Sequence, residues 1–283
     1  MTIRPVIVAI SSHVARGTVG NRIITPVLES HGFDVWAVPT VLLPFHPGIG
    51  RGVKAVTEED AFASWLNSLS ELADGQRIVG VISGYFGSVK QIVAVREFVT
   101  RLRDKQSITY LCDPVMGDAN GLYVPLEIAG AIQAELVPIA DVITPNIFEF
   151  GWLKSGRASA MPIDEVVSKM GHWSDSCRND VIVTSAEEEG RKTLSRIGNI
   201  STSGDKIRGF VHAKVLKVPS GTGDMFSAAY LGYRLGGHAD PLRRATSAVW
   251  AAVKQSAGDI DLSMHGHTED TESEILEIDF GEN

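Results

Sequence analysis

Short, continuous runs of β-branched and other apolar residues alternate along this chain with helical patterns, and that alternation limits the fold more than any other feature. A strand that is apolar at every position has no face to give to water, so it must lie inside a sheet covered on both sides. Pro5 to Ile10 is the clearest run, followed by Phe33 to Pro39, Ile78 to Ile82, Ile108 to Cys112, Val142 to Ile143 and Val181 to Val183. Helices are expected between them, at Asn21 to His31, Glu58 to Ala73, Ser88 to Arg103, Leu126 to Val137, near Ile147 to Lys154, and at Ile163 to Trp173. In the second of these, Phe62, Trp65, Leu66 and Leu69 share one side, and both Trp36 and Trp65 read as core. The pattern predicts an α/β fold, a mostly parallel sheet with helices on both faces.

The remaining segments read as connections and edges. Ser11 to Gly20 is expected to be a glycine-containing loop, and Leu42 to Val56, rich in Pro and Gly, a loop or flap. Arg191 to Val215 reads as one or two antiparallel hairpins at a sheet edge. Two more helices, up to Gly236 and from Pro241 to Gln255, precede an acidic stretch from Gly258 to Asn283. That stretch is expected to be a surface tail with one short element around Ile275 to Ile278. No repeat, linker or composition shift marks a second domain. The division is therefore residues 1–257 as one domain and 258–283 as a tail packed on it or trailing from it.

With 283 residues and 44% hydrophobic content the chain can bury one large core. Its net charge of -8 and pI near 5.5 argue against nucleic acid or an anionic membrane as partner. Any bound phosphate must then be held locally. Cys112 and Cys177 give neither a disulfide framework nor a metal-ligand spacing, and Cys112 reads as a buried small hydrophobe. Val6 to Ile10 is too short for a signal segment and no apolar run reaches spanning length, so a soluble, cytoplasmic protein is expected.

In such sheets ligands bind beyond the carboxyl ends of the strands. The polar residues that fall there are Ser12 with His13, Thr40, Ser83-Gly84-Tyr85, Asp113, Thr144 with Asn146 and Glu149, and Thr184. One further stretch, Gly221-Thr222-Gly223-Asp224, is a glycine turn running into a small-residue helix, and it is suited to an anion. Asp224 at an anion site needs a task. It either N-caps the helix or takes a proton from a hydroxyl attacking phosphorus. Asp113 either caps a turn or, with Glu149 on an adjacent strand end, holds a partly hydrated Mg²⁺. Glu149 is otherwise a plain first-turn acid favoured by the helix dipole. Asp118 and Asn120 build a turn before Tyr123. A dinucleotide fingerprint and a Walker loop are both missing, which disfavours a hydride-transfer enzyme and a P-loop ATPase.

Several of these motifs occur together, in order and at a known spacing. They are Ser12-His13-Val14, Gly20-Asn21, Val35-Trp36 with Thr40-Val41, Ser83-Gly84-Tyr85, Asp113-Pro114-Val115-Met116-Gly117, Thr144-Pro145-Asn146 with Glu149, and the Gly221 to Asp224 turn. Over roughly residues 5 to 255 the chain resembles a pyridoxal kinase of the ribokinase superfamily. The turn alone identifies the superfamily; the Ser-His-Val start, the Ser-Gly-Tyr turn and Asp-Pro-Val-Met-Gly point to the vitamin B6 branch.

The resemblance implies a three-layer ribokinase-like fold with antiparallel edge strands. It implies pyridoxal near Ser12, Val19, Thr40, His46, Pro47, Gly48 and Tyr85, with Asp224 facing its 5′-hydroxymethyl group. ATP phosphates are implied over Gly221, Thr222 and Gly223, with Asp113 and Glu149 near Mg²⁺. Further nucleotide contacts are implied at Thr144, Asn146, Thr184 and Ser185 and along Gly209, Phe210, Val211 and His212. A monovalent cation (K⁺) and a homodimer are common in the family. After His46 the family usually carries H-T-x-Y-G, whereas this chain reads Pro47-Gly48-Ile49-Gly50, which predicts weaker discrimination among B6 vitamers. Two other readings are a kinase for hydroxymethylpyrimidine and a non-catalytic pyridoxal or nucleotide binder. The acid at Asp224 weighs against the binder.

Overall fold

The computed structural model describes residues 4–50, 52–156, 163–171, 180–188, 196–203, 206–215, 217–256, 258–262 and 272–282. Trp173, Cys177 and residues 191–195 of the expected hairpin lie outside them. Among the described residues ten strands form one sheet. Its parallel body consists of β1 (Val6–Arg16), β2 (Asp34–Phe45), β4 (Ile78–Ser83), β5 (Thr109–Cys112), β8 (Val142–Ile143) and β9 (Asp180–Glu188). Antiparallel strands close both edges: β3 (Ala55–Val56) beside β2, and β10 (Arg196–Ser203), β11 (Lys206–Ala213) and β12 (Leu276–Glu282) in succession beyond β9. The full order is β12-β11-β10-β9-β8-β5-β4-β1-β2-β3. A separate small hairpin pairs β6 (Gly117–Asp118) with β7 (Gly121–Leu122).

The apolar strands divide their side chains between two cores, as a period of two requires. Val6, Val8 and Ile10 of β1 enter one cluster and Ile7 and Ala9 the other. The first core is roofed by α2 (Glu59–Leu72), α3 (Val89–Lys105), α4 (Leu126–Ala131), α5 (Ile147–Ser155) and α6 (Ile163–Gly171). The second lies under α1 (Asn21–Ser30), α7 (Thr222–Leu235) and α8 (Pro241–Gln255). Helix starts follow local chemistry: Glu58 accepts hydrogen bonds from the Asp60 and Ala61 amides, and Ser88 from that of Gln91. Among the described residues no helix is long and apolar enough to cross a membrane.

Four expectations are corrected. Ser11 to Arg16 is strand rather than loop, because β1 and β2 continue together past the sheet body as a ribbon, pairing His13 with Leu42 and Arg16 with Phe45. Trp65 is 46% exposed; α2 buries Phe62 and Leu66, and Trp65 falls on the flank of that stripe. The helix expected over Leu126 to Val137 is α-helical only to Ala131 and then widens into a π turn over Ile132–Leu136. The acidic C-terminal stretch supplies a full edge strand, β12, paired antiparallel with β11.

Strand β11 places Phe210 in the second core, fully buried. Phe210→Ala is expected to cost about 3–5 kcal/mol in chemical denaturation; an unchanged unfolding midpoint would contradict this placement.

Candidate active site

The carboxyl ends of β1, β4, β5, β8 and β9 face the N-terminus of α7 across a cavity of about 730 Å³. Ser12, Val19, His46, Pro47, Gly48 and Tyr85 line its flap side, together with Leu43 and Lys54. Asp113, Thr144, Asn146, Glu149, Thr184 and Ser185 line the strand-end side, with Val115, Asp118 and Tyr123. Ser220 to Asp224 border both sides. A second cavity of about 120 Å³ shares Thr184, Ser185, Thr222 and Gly223 and continues past His212 and Lys214 to Phe226, Val249 and Val253. The two cavities therefore adjoin at the first turn of α7.

That turn is built by close approach of two loops. Gly221 is the N-cap of α7 with φ 94°, a conformation that suits glycine. A Cβ on Gly221 would overlap the Thr18 carbonyl oxygen, and one on Gly20 (φ 56°) would overlap that of Ser12. The first-turn amides of α7 have no intrahelical acceptors and sit at the positive end of the dipole. Asp224 is not the cap. It stands three residues inside, and its Oδ2 accepts a hydrogen bond of 3.0 Å from the Gly20 amide. Burial pushes its carboxyl up to about 6, against the opposing effect of that amide.

Two further carboxylates face the cavity. Asn146 and Glu149 form a reciprocal capping box at the start of α5. Glu149 Oε2 accepts from the Asn146 amide at 2.9 Å, and Oε1 from the Met116 and Gly117 amides at 2.9 and 3.4 Å. Burial raises its carboxyl to about 7, with those amides pulling the other way. Glu149 thus does perform the first-turn role of a plain helix acid. Asp113 is held well above the usual carboxylate range, first by burial and then by the charges of Glu149 and Asp224. Its Oδ2 accepts from Ser227 at 3.0 Å; its Oδ1 has no protein donor among the described residues. No group of three His, Cys, Asp or Glu there forms a protein-only metal cage. One open carboxylate oxygen, with a second carboxylate nearby, is instead the donor set that suits Mg²⁺, which keeps waters and binds phosphate oxygens.

The flap fixes the protonation of His46. Its Nδ1 accepts from the Gly48 amide at 3.1 Å, so the neutral ring carries its proton on Nε2. A Cβ on Gly48 would lie 2.9 Å from that Nδ1, so a side chain there would crowd the ring. Burial lowers the His46 pKa, opposed by the Asp261 carboxylate. The Tyr85 hydroxyl accepts from Lys54 Nζ at 3.3 Å. His212 has the opposite tautomer: Nδ1–H donates to the Ala213 carbonyl at 2.9 Å, and the ring stacks on Trp250 at 4.4 Å.

Four residues implied by the resemblance stand outside both cavities. Thr40 is fully buried and donates to the Tyr85 carbonyl at 2.7 Å, so it supports that turn from behind. Gly209, Phe210 and Val211 are buried in β11; of that run, His212 alone lines a cavity. The sequence reading missed Leu43, Lys54, Val115, Tyr123 and Ser220, and gave Asp118 only a turn. Asp118 does make that turn, accepting from the Asn120 amide at 2.8 Å, and it also lines the cavity. The α8 wall of the second cavity was available as a signal, since Thr246, Val249 and Val253 share one helical face.

Nothing in the architecture of a parallel sheet requires an anion-binding turn to face a near-neutral acid. Transfer of a phosphoryl group to a small hydroxyl compound requires both, and the fold and site together define a small-molecule kinase that uses ATP. Comparison with known proteins agrees. Residues 64–266 match the family described as phosphomethylpyrimidine kinase. The pyridoxine/pyridoxal/pyridoxamine kinase of Bordetella avium is 31% identical over 236 residues, covering 82% of this chain and 78% of that protein. The pyridoxal kinase of Entamoeba histolytica superposes with a TM-score of 0.88 at 23% identity, over 99% of this chain and 100% of that one. The pyridoxal kinase of Leishmania donovani, solved with ADP and pyridoxine, gives 0.81 at 24% identity over 98% and 99%. The chain belongs to this family, in its pyridoxal kinase branch.

The raised carboxyl of Asp224 has a consequence for stability. The folded chain keeps a proton that the unfolded chain has released between about pH 4 and 6. Its contribution to stability is full below the unfolded pKa and is lost as pH rises through the folded one. Asp224→Asn removes this loss. The stability of the variant relative to wild type should increase between about pH 4.5 and 7.5, by something on the order of 2 kcal/mol. A pH-independent difference in melting temperature would contradict the assignment.

Proposed function

We propose that this protein transfers the γ-phosphoryl group of MgATP to the 5′-hydroxymethyl oxygen of pyridoxal, and with weak discrimination to that of pyridoxine and pyridoxamine. The observation that carries the reading is Asp224, a carboxylate raised to about 6 beside the amides of an anion-binding helix terminus. The Gly20 amide occupies Oδ2, so Oδ1 is the oxygen left to accept the hydroxyl proton. The freed alkoxide oxygen attacks the γ-phosphorus, and ADP leaves with the bridging oxygen.

The vitamer ring is assigned to the flap side, among Ser12, Val19, His46, Pro47, Gly48 and Tyr85. His46 Nε2–H is a fixed donor for a ring substituent there. The nucleotide is assigned to Thr144, Asn146, Thr184, Ser185 and His212, with its phosphates on the amides of Gly221, Thr222 and Gly223. Asp113 Oδ1 would hold Mg²⁺, with the Glu149 charge behind it. That ion neutralises phosphate oxygens, which a chain of net charge -8 with three carboxylates at the site otherwise repels. A bound K⁺, a cytoplasmic homodimer and a single domain over 1–257 with 258–283 packed on it complete the reading by resemblance; the β11–β12 pairing supports the last of these.

Asp224→Asn tests the reading. An asparagine oxygen can still accept from Gly20, so folding and MgATP affinity should be preserved, while kcat falls roughly 10²- to 10⁴-fold. In the wild-type enzyme kcat/KM should fall as pH drops below about 6, where Asp224 takes up its proton. Activity within a few-fold of wild type in the variant would remove Asp224 from the chemistry.

A further inference from the structure

We propose that Ser227 is a positioning residue that determines which oxygen of Asp113 is offered to the cavity. Ser227 sits one turn beyond Asp224 on α7, 1% exposed. Buried helical hydroxyls usually satisfy themselves on the carbonyl four residues back. Thr246 and Ser256 at α8 do so, bonding Leu242 O and Ala252 O. Ser227 instead reaches across to the strand ends, donating to Asp113 Oδ2 at 3.0 Å. Its hydroxyl lies 2.8 Å from Thr144 Oγ1. Ser227 has one proton, and Asp113, in the ionised form that holds a cation, can only accept it. Thr144 must therefore be the donor to Ser227, and the chain runs Thr144 to Ser227 to Asp113.

This relay joins the ends of β5 and β8 to the helix whose first turn carries the anion site. It opposes the repulsion that Glu149 and Asp224 exert on Asp113. Without Ser227 the carboxylate can turn about its last bond, and Oδ1 is no longer fixed relative to the amides of Gly221 to Gly223. Nothing in the Gly-Thr-Gly-Asp motif itself requires a hydroxyl at this helix position. The inference rests on the proposed use of Asp113 to hold the cation of MgATP.

Direct binding of ATP, measured by calorimetry with and without Mg²⁺, tests it. Ser227→Ala should weaken MgATP roughly tenfold, the worth of one hydrogen bond to a charged group, and leave metal-free ATP within about twofold. Ser227→Cys, which keeps the volume and loses the strong donor, should do the same at wild-type melting temperature, and it decides the matter if the alanine variant does not fold. Thr144 also faces the nucleotide directly, so the relay shows as coupling: Thr144→Val should weaken MgATP by a smaller factor in the Ser227→Ala background than in the wild type. Wild-type MgATP affinity in Ser227→Cys, or equal losses with and without the metal, would overturn the assignment. A wild-type protein that binds ATP no better with Mg²⁺ than without would overturn the use of Asp113, and this inference with it.

Discussion

One hydrogen bond ties the two ends of the chain into a site: the Gly20 amide donates to Asp224 across 204 residues of sequence. Gly20 and Gly221 are both at positive φ and neither has room for a Cβ: on Gly221 it would meet the Thr18 carbonyl of the other loop, on Gly20 the Ser12 carbonyl of its own segment. The hydrogen bond orients the carboxylate, leaves one oxygen open and opposes the shift that burial imposes. The end of β1 before Gly20 and the anion turn before Asp224 are thereby held in one geometry. Positioning of this kind is the main resource a phosphotransferase has, since the protein contributes little covalent chemistry.

The electrostatics follow from the same packing. Three carboxylates, Asp113, Glu149 and Asp224, converge on a cavity in an acidic chain, and burial raises all three. Each is tethered differently: Glu149 by three amides, Asp113 by a hydroxyl and Asp224 by one amide. The tethering ranks them. The most heavily bonded serves the helix start, and the two with an open oxygen are the ones assigned to cation and proton.

Much of this was legible in the residues. The apolar runs located the parallel strands, because a strand buried on both faces leaves a continuous signature. Polar residues at the ends of those runs marked the site. What escaped was what local pattern cannot carry. The β1–β2 ribbon beyond Ser11 is half polar and reads as loop until its partner is known. Strand β12 is stabilised by pairing with β11; its alternation, Leu276-Glu277-Ile278-Asp279-Phe280, is only five residues long and sits in an acidic stretch without other pattern. Thr40 and Phe210 belong to the right segments but stay out of the cavities: Thr40 donates to the Tyr85 carbonyl, and Phe210, on the same strand face as His212, lies deeper in the second core. Trp65 sits at the flank of an otherwise correct helical stripe. Lys54 and Tyr123 reach the cavity through chain geometry that no spacing encodes.

The most direct measurement of the central claim is product formation from ATP and a panel of hydroxymethyl compounds, with products identified by mass. The account predicts that pyridoxal becomes pyridoxal 5′-phosphate with stoichiometric ADP. It also predicts that pyridoxine and pyridoxamine follow within roughly 10- to 200-fold in kcat/KM, the range left when no obligatory buried hydrogen bond excludes them. Phosphorylation of hydroxymethylpyrimidine with no B6 vitamer accepted, or ATP hydrolysis without any phosphorylated vitamer, would contradict it.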